Sequence, residues 1–227
     1  MESFIKEKDL LFKPKAMTLE EMKNLIQMKT TVCKIKCNNG RYGIGFFCNI
    51  IYDYNILKVL ITNSNVLNKD DISLNKRIKF SLDNERYQYE ILIDESRKKY
   101  INEKYCISII EIKEEDKLDK IEFLDIDNKI FENNSKDIFQ NKQIYLLHYP
   151  EGELEYSNGS IKSINEDNYT IQHLCNSNEC SSGAPLININ NQKVIGFDNE
   201  VDTVESYNLG IFLKEPIEKF IEEIKKN

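Results

Sequence analysis

The chain lacks most of the features that assign a function at sight. No stretch of its 227 residues approaches the roughly 20 apolar residues needed to span a bilayer. The N-terminal run Met1-Glu2-Ser3-Phe4-Ile5-Lys6-Glu7-Lys8 is charged throughout and has no apolar core for a signal peptide; Glu2 excludes myristoylation. Positive charge is in deficit, with 31 Lys and Arg against 38 Asp and Glu, a formal net charge of −7. That balance argues against a nucleic-acid backbone or an anionic membrane as principal partner. The basic pairs Lys98-Lys99 and Lys225-Lys226 read as solvated surface. Internal repeats and long low-complexity tracts are missing, and no pattern requires a cofactor or a metal. Histidine is scarce, with only His148 and His173. Without an export signal the expected address is the cytoplasm, where Cys33, Cys37, Cys48, Cys106, Cys175 and Cys180 stay reduced.

What is present suits a folded core: 41% hydrophobic and 30% charged residues. Two helices bracket a strand-rich middle. Thr18 with Glu21 forms a capping box, followed by Leu19, Met22, Leu25 and Ile26 on one face. Near the other end, Glu215-Pro216 opens a helix carrying Ile217, Phe220, Ile221 and Ile224. Between them, short alternating runs predict strands at 31–37, 43–51, 57–62, 77–82, 87–93, 105–112, 143–149, 154–164, 169–174, 186–190, 194–197 and 209–213. Turn strings such as Asn38-Asn39-Gly40 and Asp53-Tyr54-Asn55 separate them. So many short strands with so few helices mean an all-β sandwich or barrel. Apolar density is lowest around 127–136, which predicts a linker between two β lobes. The expected organisation is an extension with a helix at 1–30, a first lobe at 31–126, the linker, a second lobe at 137–213, and a helix at 214–227.

The most specific string is Cys180-Ser181-Ser182-Gly183-Ala184-Pro185, running into apolar Leu186-Ile187. A nucleophilic serine needs a tight turn that exposes Oγ and aims backbone N–H groups at a developing oxyanion. Alone, Ser-Gly-x-Pro is more often a plain turn than a nucleophile site. It stands, however, in a series: Gly43-Ile44-Gly45-Phe46, then Thr62-Asn63 before Val66-Leu67, then Tyr105-Cys106-Ile107, and downstream Val194-Ile195-Gly196-Phe197. In that order the residues resemble the trypsin-like (chymotrypsin-fold) serine peptidases, particularly the intracellular branch without a zymogen, over about residues 31 to 213. The resemblance implies two six-stranded β-barrel lobes, a His…Asp…Ser order, and a cleft between the lobes that takes an extended peptide.

Carried over residue by residue, the resemblance fails at the chemistry. The general-base position is Asn65, whose amide accepts no proton at neutral pH. The orienting acid position is Cys106. The oxyanion glycine is Cys180, whose side chain disfavours the required backbone turn. Ser182 keeps the nucleophile position. Loss of the base alone costs about 10⁶-fold in a comparable triad. Ser181 stands where zymogen-activated relatives carry an acid, so activation by cleavage is not expected.

By the same resemblance the substrate pocket involves His173, Asn176 and Ser177, and uncharged Asn176 and Ser177 predict no preference for basic side chains. His148, in Leu147-His148-Tyr149-Pro150, reads as a structural histidine at a strand end. Cys33 and Cys37 are too far apart along one strand to share a zinc, and cysteine as a small core residue is the plainer reading. The leading expectation is a catalytically inactive homologue that binds a peptide or protein in the inter-barrel cleft or serves as a structural module. The rival is a hydrolase with a rearranged site using Ser182 with His173, or a cysteine.

Overall fold

Thr18 caps a helix as its sequence predicts. In the computed structural model, which describes residues 18–37, 40–167, 169–200 and 207–226, Thr18 Oγ1 accepts the Glu21 N–H at 3.1 Å and the Glu21 carboxylate accepts the Thr18 N–H at 2.7 Å. The helix, α1, runs Leu19–Gln27. Of its expected apolar face only Leu25 is buried; Leu19, Met22 and Ile26 are exposed. The first 17 residues of the expected extension, and Asn38-Asn39 of one expected turn, lie outside the described residues.

The first sheet is built from β1 (Val32–Lys36), β2 (Tyr42–Tyr52), β3 (Asn55–Asn63), β4 (Arg77–Leu82), β5 (Tyr87–Leu92), β6 (Lys99–Asn102) and β7 (Ile107–Glu111). They pair in the order β5-β4-β1-β2-β3-β7-β6, and the two-residue β8 (Leu124–Asp125) pairs with β2 in parallel. The second lobe comprises β9 (Gln143–His148), β10 (Glu155–Asn165), β11 (Thr170–His173), β12 (Pro185–Asn188), β13 (Val194–Glu200) and β14 (Asn208–Phe212). These close a barrel in the order β10-β11-β14-β13-β12-β9. This is the all-β, two-lobed architecture the strand density implied. The expected six strands per lobe describe the second lobe; the first is an eight-stranded curled sheet whose ends, β5 and β6, do not pair.

An ion-pair staple ties the segment just before β6 to the turn just after β7. Arg97 is buried and grips Asp116 with two bonds at 2.7 and 2.8 Å, while also donating to the Glu111 carbonyl at 2.7 Å. The two bonds to Asp116 leave the buried guanidinium without an uncompensated charge, while its Nε has no hydrogen-bond partner.

The central strands of the first sheet do not alternate between core and solvent. In β2, Phe46 belongs to one apolar cluster and Phe47 to another; in β3 the same holds for Ile61 and Leu60, and in β7 for Ile109 and Ile110. Successive side chains point to opposite faces of a strand. One face therefore fills the interior of the first lobe with Ile35, Phe80 and Ile91. The other packs on the second lobe, with Leu186, Phe197 and Ile211, and on helix α3 (Lys214–Ile224) through Ile217 and Phe220. This explains the unbroken apolar strings Phe46-Phe47-Cys48 and Val59-Leu60-Ile61.

The segment 127–136 is tied to the second lobe. It holds a 3-10 turn at Asn128–Phe131 and the start of the short helix α2 (Ser135–Phe139). Buried Asp127 accepts hydrogen bonds from Asn188 Nδ2 at 3.0 Å and Asn191 Nδ2 at 2.8 Å, and Ile130 is fully buried.

Candidate functional site

The turn at Ser182 is shaped from both sides. A 3-10 turn at Glu179–Ser181 precedes it, and Asn178 caps that turn: its Oδ1 accepts the Cys180 N–H at 3.0 Å, and its own N–H donates to Ser181 Oγ at 3.1 Å. Ser182 follows at φ −54° and ψ 124°, then Gly183 at φ +92°. The glycine is required twice over. Its backbone lies in the left-handed region, and a Cβ there would collide with the Ile44 carbonyl of β2. The turn is thus pressed against the first lobe, and the Ser182 carbonyl accepts the Ile44 N–H at 3.2 Å.

Asn65 meets Ser182 across a cavity of about 500 Å³ whose wall also includes Gly43, Ile44 and Cys180. Gly43 leaves the space that Val66, next to Asn65, occupies. The Asn65 side chain is exposed, and its N–H donates to Asn63 Oδ1 at 2.7 Å. Buried Asn63 also donates through Nδ2 to Asn199 Oδ1 on β13, a side-chain bridge between the lobes. Cys106 lies behind this turn at φ +48°, accepting the Ser64 N–H at 3.0 Å, and is not part of the cavity wall. The structure therefore brings Asn65, Cys180 and Ser182 to one cavity, with Cys106 next to it. At Cys180 the backbone donor expected to face a developing oxyanion is occupied by Asn178.

Both histidines lie inside the second lobe. His148 Nδ1 is 2.7 Å from Ser181 Oγ, and that hydroxyl in turn donates to Asn178 Oδ1 at 3.1 Å. With the hydroxyl proton so used, Nδ1–H is the donor to Ser181. Burial pushes His148 below 6.5, and the neighbouring Asp198 charge opposes the shift. His173 Nε2 is 2.9 Å from Asp198 Oδ1, with side-chain exposures of 0% and 1%. Burial raises the Asp198 carboxyl above 3.8, and its bond to His173 works the other way.

These positions correct the reading of His173. It was expected to line the substrate pocket, or to act as a base for Ser182. Its ring is enclosed and engaged by Asp198, because on β11 alternate side chains point into the barrel, and it offers no atom to the cavity. Of its expected neighbours, Asn176 is exposed and its carbonyl accepts from Ser157 Oγ at 2.8 Å; Ser177 is half-buried with its hydroxyl turned inward. None of the six cysteines is in a disulfide. Cys33, Cys48 and Cys175 are buried, which raises their proton affinity, and Cys180 is exposed.

Residue-by-residue reading of the sequence missed Asn63, Asn178, Asp198 and Asn199. For Asp198 a signal was available: an acid directly after the apolar run Val194-Ile195-Gly196-Phe197 needs a buried partner or an exposed face.

No protein-family model matches the chain, and no curated protein matches it in sequence. Solved structures do match in shape. A serine endoprotease from Yersinia pestis superposes with a TM-score of 0.64 at 15% identity, covering 92% of this chain and 69% of that one. The Rv3671c protease of M. tuberculosis in its inactive form gives 0.60 at 15% identity, covering 92% and 98% of the two chains. Deg5 gives 0.59 at 18% identity, covering 90% and 95%. At such identities the likeness is one of architecture, and it closes the question of fold: this chain has the two-lobed fold of the trypsin-like serine proteases.

Proposed function

We propose that the protein is a catalytically inactive trypsin-like serine protease homologue, whose cleft between the lobes binds a peptide or protein segment. One observation carries the reading. The only two imidazoles in the chain are engaged inside the second lobe, on Ser181 and Asp198, while an amide, Asn65, faces Ser182 across the cavity. A serine hydroxyl without a base within reach remains a poor nucleophile. The bond from Cys180 N–H to Asn178 supports the same reading, since it uses up a donor that a tetrahedral oxyanion would need.

Binding is supported by what survives. The cavity at Ser182 is open, concave and lined by both lobes. The net charge of −7 favours a peptide or protein over nucleic acid or an anionic membrane. Among the described residues no helix is long and apolar enough to cross a membrane. Six cysteines, none in a disulfide, suit a reducing compartment, and we place the protein in the cytoplasm.

A fluorophosphonate probe tests the inactive reading. Ser182 is expected to stay unlabelled, whereas stoichiometric labelling that is lost in Ser182→Ala establishes a working hydrolase. That rival draws on one contact, the His148–Ser181 pair one residue from Ser182, but both partners are buried.

A further inference from the structure

The two lobes differ in how their sheets end. The second closes on itself, whereas the first leaves β5 and β6 as edges. An edge strand is a template for pairing with another chain, and proteins blunt it with shortness, lysine, proline or a bulge. The edge at β6 is blunted in this way: it has four residues and opens on Lys99. The edge at β5 is not. Its six residues, Tyr87-Gln88-Tyr89-Glu90-Ile91-Leu92, include no lysine or proline, and they pair with β4 without a register shift.

The direction of the backbone groups of β5 follows from the residue just beyond it. The Ile93 N–H donates to the Lys76 carbonyl and the Ile93 carbonyl accepts the Asn75 N–H, each at 2.8 Å. Ile93 therefore faces the β4 side, and by the period of two so do the backbone groups of Tyr87, Tyr89 and Ile91. The N–H and C=O groups of Gln88, Glu90 and Leu92 point away from β4. Among the described residues none of these outward groups has a hydrogen-bond partner. The edge is open to solvent: Gln88, Glu90 and Leu92 are exposed, and Gln88 and Glu90 line a groove of about 550 Å³. On the other face Tyr87 and Tyr89 are only half-buried against the interior of the first lobe, with Tyr89 stacked on Phe80 at 5.7 Å.

We propose that β5 is a self-association edge, to which a second copy of this chain adds its own β5 antiparallel about a two-fold axis at Tyr89. Outward groups must meet outward groups, which leaves few registers. An axis at Glu90 sets two carboxylates directly opposite each other, which is unfavourable. An axis at Gln88 runs the overlap into the turn at Asp83, Asn84 and Glu85, whose positive φ values end the strand. With the axis at Tyr89, the Gln88 amide meets the second copy's Glu90 carboxylate, Tyr87 meets Ile91, and the two Tyr89 rings meet each other. Arg86 then lies diagonal to the second copy's Glu90, so opposite charges come within reach of long side chains. On each side of the axis Gln88 and Glu90 exchange both backbone hydrogen bonds. The proposal is independent of what the cleft binds.

Sedimentation equilibrium of the full chain tests it. The wild-type mass should rise towards twice that of the monomer as concentration increases. Gln88→Pro should stay monomeric with an unchanged urea midpoint, because the N–H it removes points away from β4 and a proline is tolerated there. Tyr89→Cys should give a covalent dimer on oxidation, reversed by reductant and well above the wild-type background. At the axis the two Cα atoms lie about 4.5 Å apart, within the span of a disulfide. A wild-type monomer at every concentration overturns the proposal and leaves the edge to a strand of another protein. A dimer that survives in folded Gln88→Pro overturns it as well, since the interface then lies elsewhere. Cross-linking through Glu90→Cys in place of Tyr89→Cys overturns the register. If Gln88→Pro fails to fold, the cross-link decides.

Discussion

The cavity at Ser182 is walled by an amide, Asn65, an exposed thiol, Cys180, and the charged Lys34, Arg41 and Glu151; on the inner side of the turn, closed to solvent, stand both histidines and Asp198. Both imidazoles and Asp198 lie within one short stretch of fold, on the side of the turn away from the cavity. There they serve its shape. Asp198 clamps the residues after Ser182 by backbone bonds, and His148 holds the residue before it. The comparison teaches that exchanging side chains on one face need not loosen the scaffold behind it, because the two faces draw on different side chains.

If this division holds, substitutions on the inner side should cost stability and those on the cavity side should not. The largest effect is expected for His173→Ala, which strands the Asp198 carboxylate in the core; about 3–5 kcal/mol should be lost in urea unfolding. Gly183→Ala follows, at about 2–4 kcal/mol, because it combines a left-handed backbone with a collision against β2. His148→Gln should cost about 1–3 kcal/mol and also alter the pH profile. Burial lowers the folded-state pKa of His148 below 6.5, so the unfolded chain binds the proton more readily. Stability from this group is complete above about 6.5 and falls as pH drops through that value, and the variant should lose this part of the dependence. Asp198 acts in the opposite sense: with its carboxyl raised above 3.8, ionisation on rising pH costs stability. The smallest effect belongs to Asn65→Ala, within about 0.5 kcal/mol for an exposed side chain. Asn65→His should leave peptide hydrolysis at background, since neither an orienting acid nor a free Cys180 N–H is present; measurable turnover would erase the distinction between the two faces.

The cavity side was legible in the sequence because strings carry it. Ser182-Gly183-x-Pro185 and Thr62-Asn63 keep their order and spacing, and a substituted residue such as Asn65 shows against them. Strand positions were legible for the same reason; the run at Arg77–Leu82 was bounded to the residue by its alternation. The inner side depends on where side chains point after a barrel closes. Nothing local tells that His173 turns inward to meet Asp198, or that Asn178 folds back on Cys180. Strands β6 and β8 were missed because the first is short and polar and the second has two residues, too few for any period. For α1 the periodic apolar face was read correctly as periodic, but periodicity does not say what covers it, and Leu19, Met22 and Ile26 are exposed.

The sheet of the first lobe has a consequence for how the molecule comes apart. Because β2, β3 and β7 offer one face to each apolar cluster, the second lobe cannot detach without baring Phe46, Ile61 and Ile109. Neither lobe is then a self-sufficient folding unit. Cooperativity is built into a shared wall, so chemical unfolding should follow a single transition, with fluorescence and circular dichroism midpoints coinciding.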